Sequence, residues 1–308
     1  MKKLILLFLT IAMLGAEELI SPIEDNVAID LNKALLGKKL FFEKQLSRNN
    51  TISCASCHHL DKGGDDNQQF SVGVDNKRGI VNSPTVFNSK YNFVQFWDGR
   101  AKNLKEQVSI PIHNPNEMDS NMQEIVAKLK KNPTYITLFK DIYNDTIKEA
   151  YIIDAIVEFE NALVTPNSRF DRYLKGESTI LSHREKSGFE LFKSYGCIAC
   201  HNGINLGGNL FQRVGIVKAM DYEENKYLGL YNVTKDEEDK YFYKVPTLRN
   251  IELTAPYLHS GTIVTLQEAV VFMMEYQIGV TPNEKDINEI LAFLGTLTGE
   301  RPKILEID

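Results

Sequence analysis

The chain is sparing with several residue types. Its 308 residues include four cysteines, one tryptophan and six histidines. So few cysteines exclude a disulfide-dense scaffold, in which cross-links substitute for a hydrophobic core. Bases are outnumbered, with 35 Lys and Arg against 41 Asp and Glu and a formal net charge of −6. A nucleic-acid partner is therefore not expected, because backbone phosphates call for a basic surface. Long apolar runs are lacking as well. The longest, Leu4 to Leu14, falls short of the roughly 20 residues a membrane-spanning helix needs. It follows Lys2 and Lys3 and precedes Leu14-Gly15-Ala16. A basic start, an apolar centre and a small-residue cleavage site define a signal peptide over residues 1–16. No cysteine follows that run, so a lipid anchor is not expected. The remainder, with 43% hydrophobic and 25% charged residues, has the composition of a soluble globular protein long enough for two domains.

What the chain does contain is concentrated in two pentapeptides. Cys54-Ala55-Ser56-Cys57-His58 and Cys197-Ile198-Ala199-Cys200-His201 consume all four cysteines. Each has the Cys-x-x-Cys-His form that attaches a c-type haem, with two thiols for the vinyl groups and an imidazole for one face of the iron. Two disulfides, a zinc site or a thioredoxin-like redox pair would explain a lone Cys-x-x-Cys. None explains a histidine directly after the second cysteine in both copies. The surroundings repeat: Leu40-Phe41 precedes the first motif and Leu191-Phe192 the second, while Gly63-Gly64 and Gly207-Gly208 follow them.

The pattern predicts a mostly α protein of two cytochrome c-like haem domains with long loops, divided near residues 165–170 into 17–165 and 166–308. Apolar spacing predicts helices over 30–42, 102–109, 121–131, 147–164 and 284–297. Asp119 or Ser120 is expected to cap the third of these, and Pro111 and Pro115 to bracket an extended segment. Ser182-x-x-Glu185 and Thr265-x-x-Glu268 read as capping boxes, the second opening a helix through Tyr276. Residues 218–242 read as an exposed polar loop.

Further segments carry a resemblance. Leu40-Phe41-Phe42 with Ile52-Ser53-Cys54 through His58, Asn82-Ser83-Pro84-Thr85, Phe96-Trp97-Asp98-Gly99-Arg100-Ala101 and Asn114-Pro115-x-Glu117-Met118 form the first part of the set. Val245-Pro246-Thr247-Leu248-Arg249-Asn250 and Thr254-Ala255-Pro256-Tyr257-Leu258-His259-Ser260-Gly261 complete it. In this order, from about residue 35 to 297, they resemble the bacterial di-haem cytochrome c peroxidases. The resemblance implies a periplasmic enzyme that reduces hydrogen peroxide to water. The N-terminal haem would be peroxidatic, and the C-terminal haem would relay electrons from a small cytochrome c or a copper protein. It also implies that Gln107 and Glu117 stand over the first iron, the amide orienting peroxide and the carboxylate moving a proton between its oxygens. Met273 matches the thioether ligand of the second iron, with Met274 the neighbouring alternative. Trp97 matches an indole between the haems. Asn82 with the carbonyls of Thr254 and Pro256 matches a calcium site, and the family admits a homodimer.

One position departs from the pattern. Sixteen residues past the proximal histidine, family members commonly carry a second histidine that occupies the iron until activation. Here that position is Val74, which cannot ligate iron, so the oxidised first haem is expected to be open. His113 lies near the expected pocket, while His183 reads as a solvated helix residue and His259 as a structural one. Two other readings are carried forward. One is a MauG-like oxidase acting on a partner protein, in which a tyrosine replaces the thioether at the position of Met273; Tyr276 is a weak substitute. The other is a non-catalytic di-haem carrier, which has no use for the pair Gln107 and Glu117.

Overall fold

The computed structural model describes residues 19–220 and 227–307. The expected signal peptide lies outside them. Among the described residues the chain is helix-rich, with one two-stranded sheet and no helix long and apolar enough to cross a membrane.

Two helix pairs organise it. α1 (Leu31–Phe41) crosses α5 (Glu149–Ala162), and α7 (His183–Ser194) crosses α10 (Glu284–Leu294). Each crossing is made at a glycine. A Cβ on Gly37 would stand 1.9 Å from the Ala155 carbonyl oxygen, and one on Gly188 would stand 1.9 Å from that of Glu289. The absence of a side chain lets the backbones touch. One turn further on, each pair seats an aromatic stack. Phe41 lies edge-on to Phe159 and 6.5 Å from the His58 ring; Phe192 packs on Phe293 and lies 6.5 Å from the His201 ring. The repeat in the sequence is thus a repeat in packing.

One core draws on Leu36, Leu40, Ile125, Phe139, Ile152 and Ile156, and another on Phe170, Phe192, Met274, Phe293 and Leu294. The two ends of the described residues join different clusters. Ile20 packs into the second core, whereas Ile304 packs with Ala34, Phe41 and Phe159. The helix Arg169–Leu174 is fixed by the buried ion pair Asp171–Arg249, 2.6 Å, with both side chains fully buried.

Several expectations are corrected. Asn121, not Asp119 or Ser120, caps α3 (Met122–Leu129), its Oδ1 accepting from the Glu124 N–H; Asp119 is drawn off to Arg48. A helix unmarked in the sequence reading, α4 (Pro133–Tyr143), starts at Pro133 behind the cap Asn132. α2 (Leu104–His113) runs through Pro111 instead of ending before it. Proline is tolerated there because it falls in the last turn, where only one helical bond, to the Gln107 carbonyl, is forgone. The segment 218–242 is not simply an exposed loop. Its described part holds buried Tyr227, the short α8 (Tyr231–Thr234) and the start of β2 (Phe242–Lys244), which pairs antiparallel with β1 (Phe211–Arg213). Tyr227 and the aromatics of β2 supply the burial that the surrounding charges conceal. The capping boxes at Ser182 and Thr265 form as expected.

Candidate haem site and its second counterpart

Each Cys-x-x-Cys-His segment folds as a single 3-10 turn, Cys54–Ser56 and Cys197–Ala199. All four thiols are free. Burial pushes Cys54 up to about 12, and Cys57 and Cys197 up to about 11. Burial disfavours the thiolate at all three.

The two imidazoles are prepared alike. His58 Nδ1 donates to the Gly64 carbonyl at 3.1 Å and His201 Nδ1 to the Leu206 carbonyl at 3.2 Å. A carbonyl can only accept, so the proton sits on Nδ1 and Nε2 is left for a metal. Burial lowers both rings, His201 to about 4, which keeps them neutral as ligands must be. Both sites fit a covalently bound haem.

Beside the first motif lies a cavity of about 760 Å³. Cys54, Cys57 and His58 line it, and so do Gln107 and Glu117. Gln107 is placed by α2, whose N-terminus is capped by Asn103 at 3.0 Å. Glu117 follows the end of α2, and its Oε1 accepts from Asn114 Nδ2 at 2.6 Å. Burial raises the Glu117 carboxyl above its usual range, with the Arg100 charge and the Asn114 bond opposing the rise. Arg100 also lines the cavity. It lies over the Phe96 ring at 3.5 Å and is held by Asp98 at 2.9 Å.

Val74 is fully buried, and its N–H donates to the Glu117 carbonyl at 2.8 Å. Arg48 ties Asp75 of this loop to Asp119, bonding the latter at 2.9 Å. The loop therefore braces the Glu117 segment. His113 stands exposed at the cavity rim, its Nδ1 donating to the Ser109 carbonyl at 2.7 Å. His183 is exposed.

Trp97 belongs to an aromatic group. Its Nε1 donates to the Asn82 carbonyl at 2.9 Å, and its ring meets His259 edge-on at 6.3 Å. His259 stacks on Tyr243 at 3.9 Å and is pushed down to about 4 by burial. Asn82 donates its N–H to the His259 carbonyl and its Nδ2 to the Gln68 carbonyl, both at 2.9 Å. That geometry leaves Oδ1 as the side-chain acceptor of Asn82. Ala255–Pro256 is a cis peptide. Among the described residues no cluster of three or more His, Cys, Asp or Glu could hold a metal.

On the other side, Met273 opens a π-helical turn, Met273–Ile278, at the end of α9 (Leu266–Phe272). Met274 is spent in the second core, 1% exposed, whereas Met273 is half-buried. The sequence reading overlooked Glu160 and Ser89, both on the cavity wall. Glu160 carried a signal: it lies four residues after Ile156 on the apolar face of α5, where a solvated acid does not belong.

A helix-rich chain with two such turns, each ending in a neutral imidazole oriented by a carbonyl, is a multi-haem c-type protein. Residues 31–179 match the family model described as di-haem cytochrome c peroxidase. The chain is 45% identical over 285 residues to cytochrome c peroxidase Ccp of Escherichia coli, covering 92% of this chain and 61% of that protein's length. It is 43% identical to cytochrome c551 peroxidase of Nitrosomonas europaea, over 96% of this chain and 89% of that one. Among solved structures, a MauG-like protein associated with microbial copper homeostasis matches at a TM-score of 0.80 and 26% identity, over 92% and 95% of the two chains. The diheme peroxidase BthA of Burkholderia thailandensis, at 19% identity and a TM-score of 0.76 over 92% and 91%, shares the fold. The chain belongs to the di-haem cytochrome c peroxidase family, a family of oxidoreductases that carry two c-type haems.

Proposed function

We propose that the protein is a periplasmic peroxidase that takes hydrogen peroxide, two protons and two electrons to two waters. The observation that carries this reading is the convergence of Glu117, Gln107 and Arg100 on the same cavity as His58. The first haem, when bound, supplies the iron at which the O–O bond is cleaved. Gln107 orients peroxide by hydrogen bonds. Glu117 takes the proton from the near oxygen and returns it to the far one, so that the departing oxygen leaves as water. Its raised proton affinity suits a group that must both accept and release a proton. Arg100, fixed by Asp98, keeps positive charge beside the developing anion.

The division of labour follows the two halves, residues 17–165 and 166–308. His201 and Met273 would hold the second haem, which would supply a site for electrons from a small cytochrome c or copper protein. Burial of Met274 in the core is what favours Met273. Trp97 and the stacked His259 and Tyr243 lie on the route between the halves. Asn82 Oδ1 with the carbonyls of Thr254 and Pro256 offers neutral oxygens suited to Ca²⁺. The segment 1–16 would direct export.

Val74, buried and bonded to the Glu117 segment, leaves no imidazole of its loop to occupy the first iron, so the oxidised enzyme is ready for peroxide without prior reduction. The electronic spectrum of the oxidised protein tests this: one haem should be high-spin. Two purely low-spin, six-coordinate haems would refute it. Steady-state turnover of peroxide with reduced cytochrome c tests the reaction, and its absence would leave the carrier reading. A protein substrate oxidised in preference to the reduced donor would favour the MauG-like reading instead.

A further inference from the structure

The turn that opens with Met273 is irregular, and a neighbouring segment selects it. Residues 273–278 form a π-turn between α9 and the left-handed Gly279. Such turns are rare and cluster at functional sites. An α-helical register would give the Val280 N–H to the Tyr276 carbonyl, four residues back. Here it donates to the Met274 carbonyl at 2.8 Å. The Tyr276 carbonyl accepts instead from the N–H groups of Val217 and Lys218, at 3.0 and 3.2 Å. Gln277 adds two bonds to the same segment. Its Oε1 accepts from the N–H of buried Gly215, and its Nε2 donates to the Arg213 carbonyl, both at 2.9 Å. Lys218 Nζ lies 4.4 Å from the centre of the Tyr276 ring, which stacks on Phe272 at 4.6 Å. Val217 closes over Gly279, where an added Cβ would stand 2.8 Å from its Cγ1. The other end of the segment reaches the second haem motif: Gln212 Nε2 donates to Cys200 Sγ at 3.6 Å.

We infer that residues 212–218 are a strap from Cys200 to this turn, and that Gln277 is the positioning residue through which the strap keeps the Met273 thioether on the second iron. The inference rests on the reading of Met273 as that ligand. The second core grips the turn through Met274. Met273 is half-buried, and its sulfur is only a weak hydrogen-bond acceptor. Nothing polar in the side chain fixes its direction, so the backbone that carries it must. The strap fixes that backbone, by the Tyr276 carbonyl and by both ends of the Gln277 amide. Without that amide the buried Gly215 N–H loses its partner, which such a group does not readily replace. Partners that orient a metal ligand contribute about 10- to 100-fold to its hold on the metal. A thioether ligand also raises the reduction potential of a haem, so a turn that lets go of Met273 lowers it.

The test uses the oxidised di-haem protein. The far-red charge-transfer band of thioether-bound iron reports the second haem, and imidazole added in steps displaces the thioether and bleaches it. In Gln277→Leu the imidazole concentration that halves the band should fall about 10- to 100-fold, and the potential of the second haem should fall with it. Gly279→Ala drives a Cβ into Val217 and so lifts the strap with Gln277 intact; it should act in the same direction. If Gln277→Leu does not fold, Gly279→Ala decides by the same readings. Gly37→Ala strains the other helix pair and should leave the band, the imidazole midpoint and the potential where they are, which separates positioning from general stability. A midpoint and potential unchanged in Gln277→Leu, or an equal shift in Gly37→Ala, would overturn the inference while the reading of Met273 stands. A thioether band missing from the unaltered protein, or surviving in Met273→Leu, would overturn that reading and the inference with it.

Discussion

Replacing Arg249 by Met should be among the most damaging single changes outside the haem cavity. Its guanidinium is fully buried and donates to Asp171 Oδ1 at 2.6 Å, the Ile204 carbonyl at 2.9 Å and the Ser21 carbonyl at 3.1 Å. One side chain thus joins the N-terminal segment, α6 (Arg169–Leu174) and the loop that follows the second haem motif. Removing one partner of a buried pair costs about 3–5 kcal/mol, because the other charge remains buried. Asp171 would keep three donors, the Ile23 N–H at 3.2 Å, the Ser168 N–H at 3.2 Å and the Ser168 hydroxyl at 2.8 Å. That partial satisfaction places the expected loss at the lower end, about 3 kcal/mol, including the carbonyls of Ser21 and Ile204 left without a donor. Denaturant titration of the haem-loaded protein, followed by near-ultraviolet circular dichroism, measures it. The midpoint should fall while the slope holds. Adding Asp171→Leu should be less than additive, with a coupling of about 0.5–3 kcal/mol. A loss below about 1 kcal/mol, the range of an exposed pair, or strict additivity in the double variant, would refute the account of Arg249 as the counter-charge that makes the burial of Asp171 tolerable.

Glu117→Gln should lower kcat/KM for peroxide by about 10²–10⁴-fold, the usual worth of a positioned acid–base group, with the Soret spectrum unchanged; near-normal turnover would remove Glu117 from the mechanism. Because burial holds the Glu117 proton more tightly than usual, and the carboxylate is the base, kcat/KM should fall as pH drops through that raised value and flatten above it. In Glu117→Gln this acid limb should disappear. Gly188→Ala places a Cβ 1.9 Å from the Glu289 carbonyl oxygen and should lower stability by about 1–3 kcal/mol, as should Gly37→Ala against Ala155. Thermal melts read both, and an unchanged midpoint would show that the helices can part without cost. Met273→Leu should abolish the thioether signature of the second haem and lower its potential, while Met274→Leu should leave both in place; the reverse result would reassign the ligand.

Much of this was legible along the chain. Cys54, Cys57 and His58 are local in sequence, as are Cys197, Cys200 and His201, and the turn that brings each trio together needs no distant contact. The capping boxes at Ser182 and Thr265 are local too, so three-residue spacing sufficed. Gln107 and Glu117 drew their meaning from resemblance; spacing alone does not reveal that the end of α2 folds both onto the cavity beside His58. Tertiary structure alone decided the rest. Glu160 became an unpaired cavity acid because α5 lies across α1, and Ser89 because its turn packs beneath α5. His259 joined Trp97 and Tyr243 in one stack from residues 162 positions apart at the extremes. Ile20 and Ile304 joined different clusters, which no local pattern encodes. The sequence determined where covalent chemistry attaches, since neighbouring residues carry it. Folding determined which buried groups lack a partner, because burial and pairing are set by segments far apart in the chain.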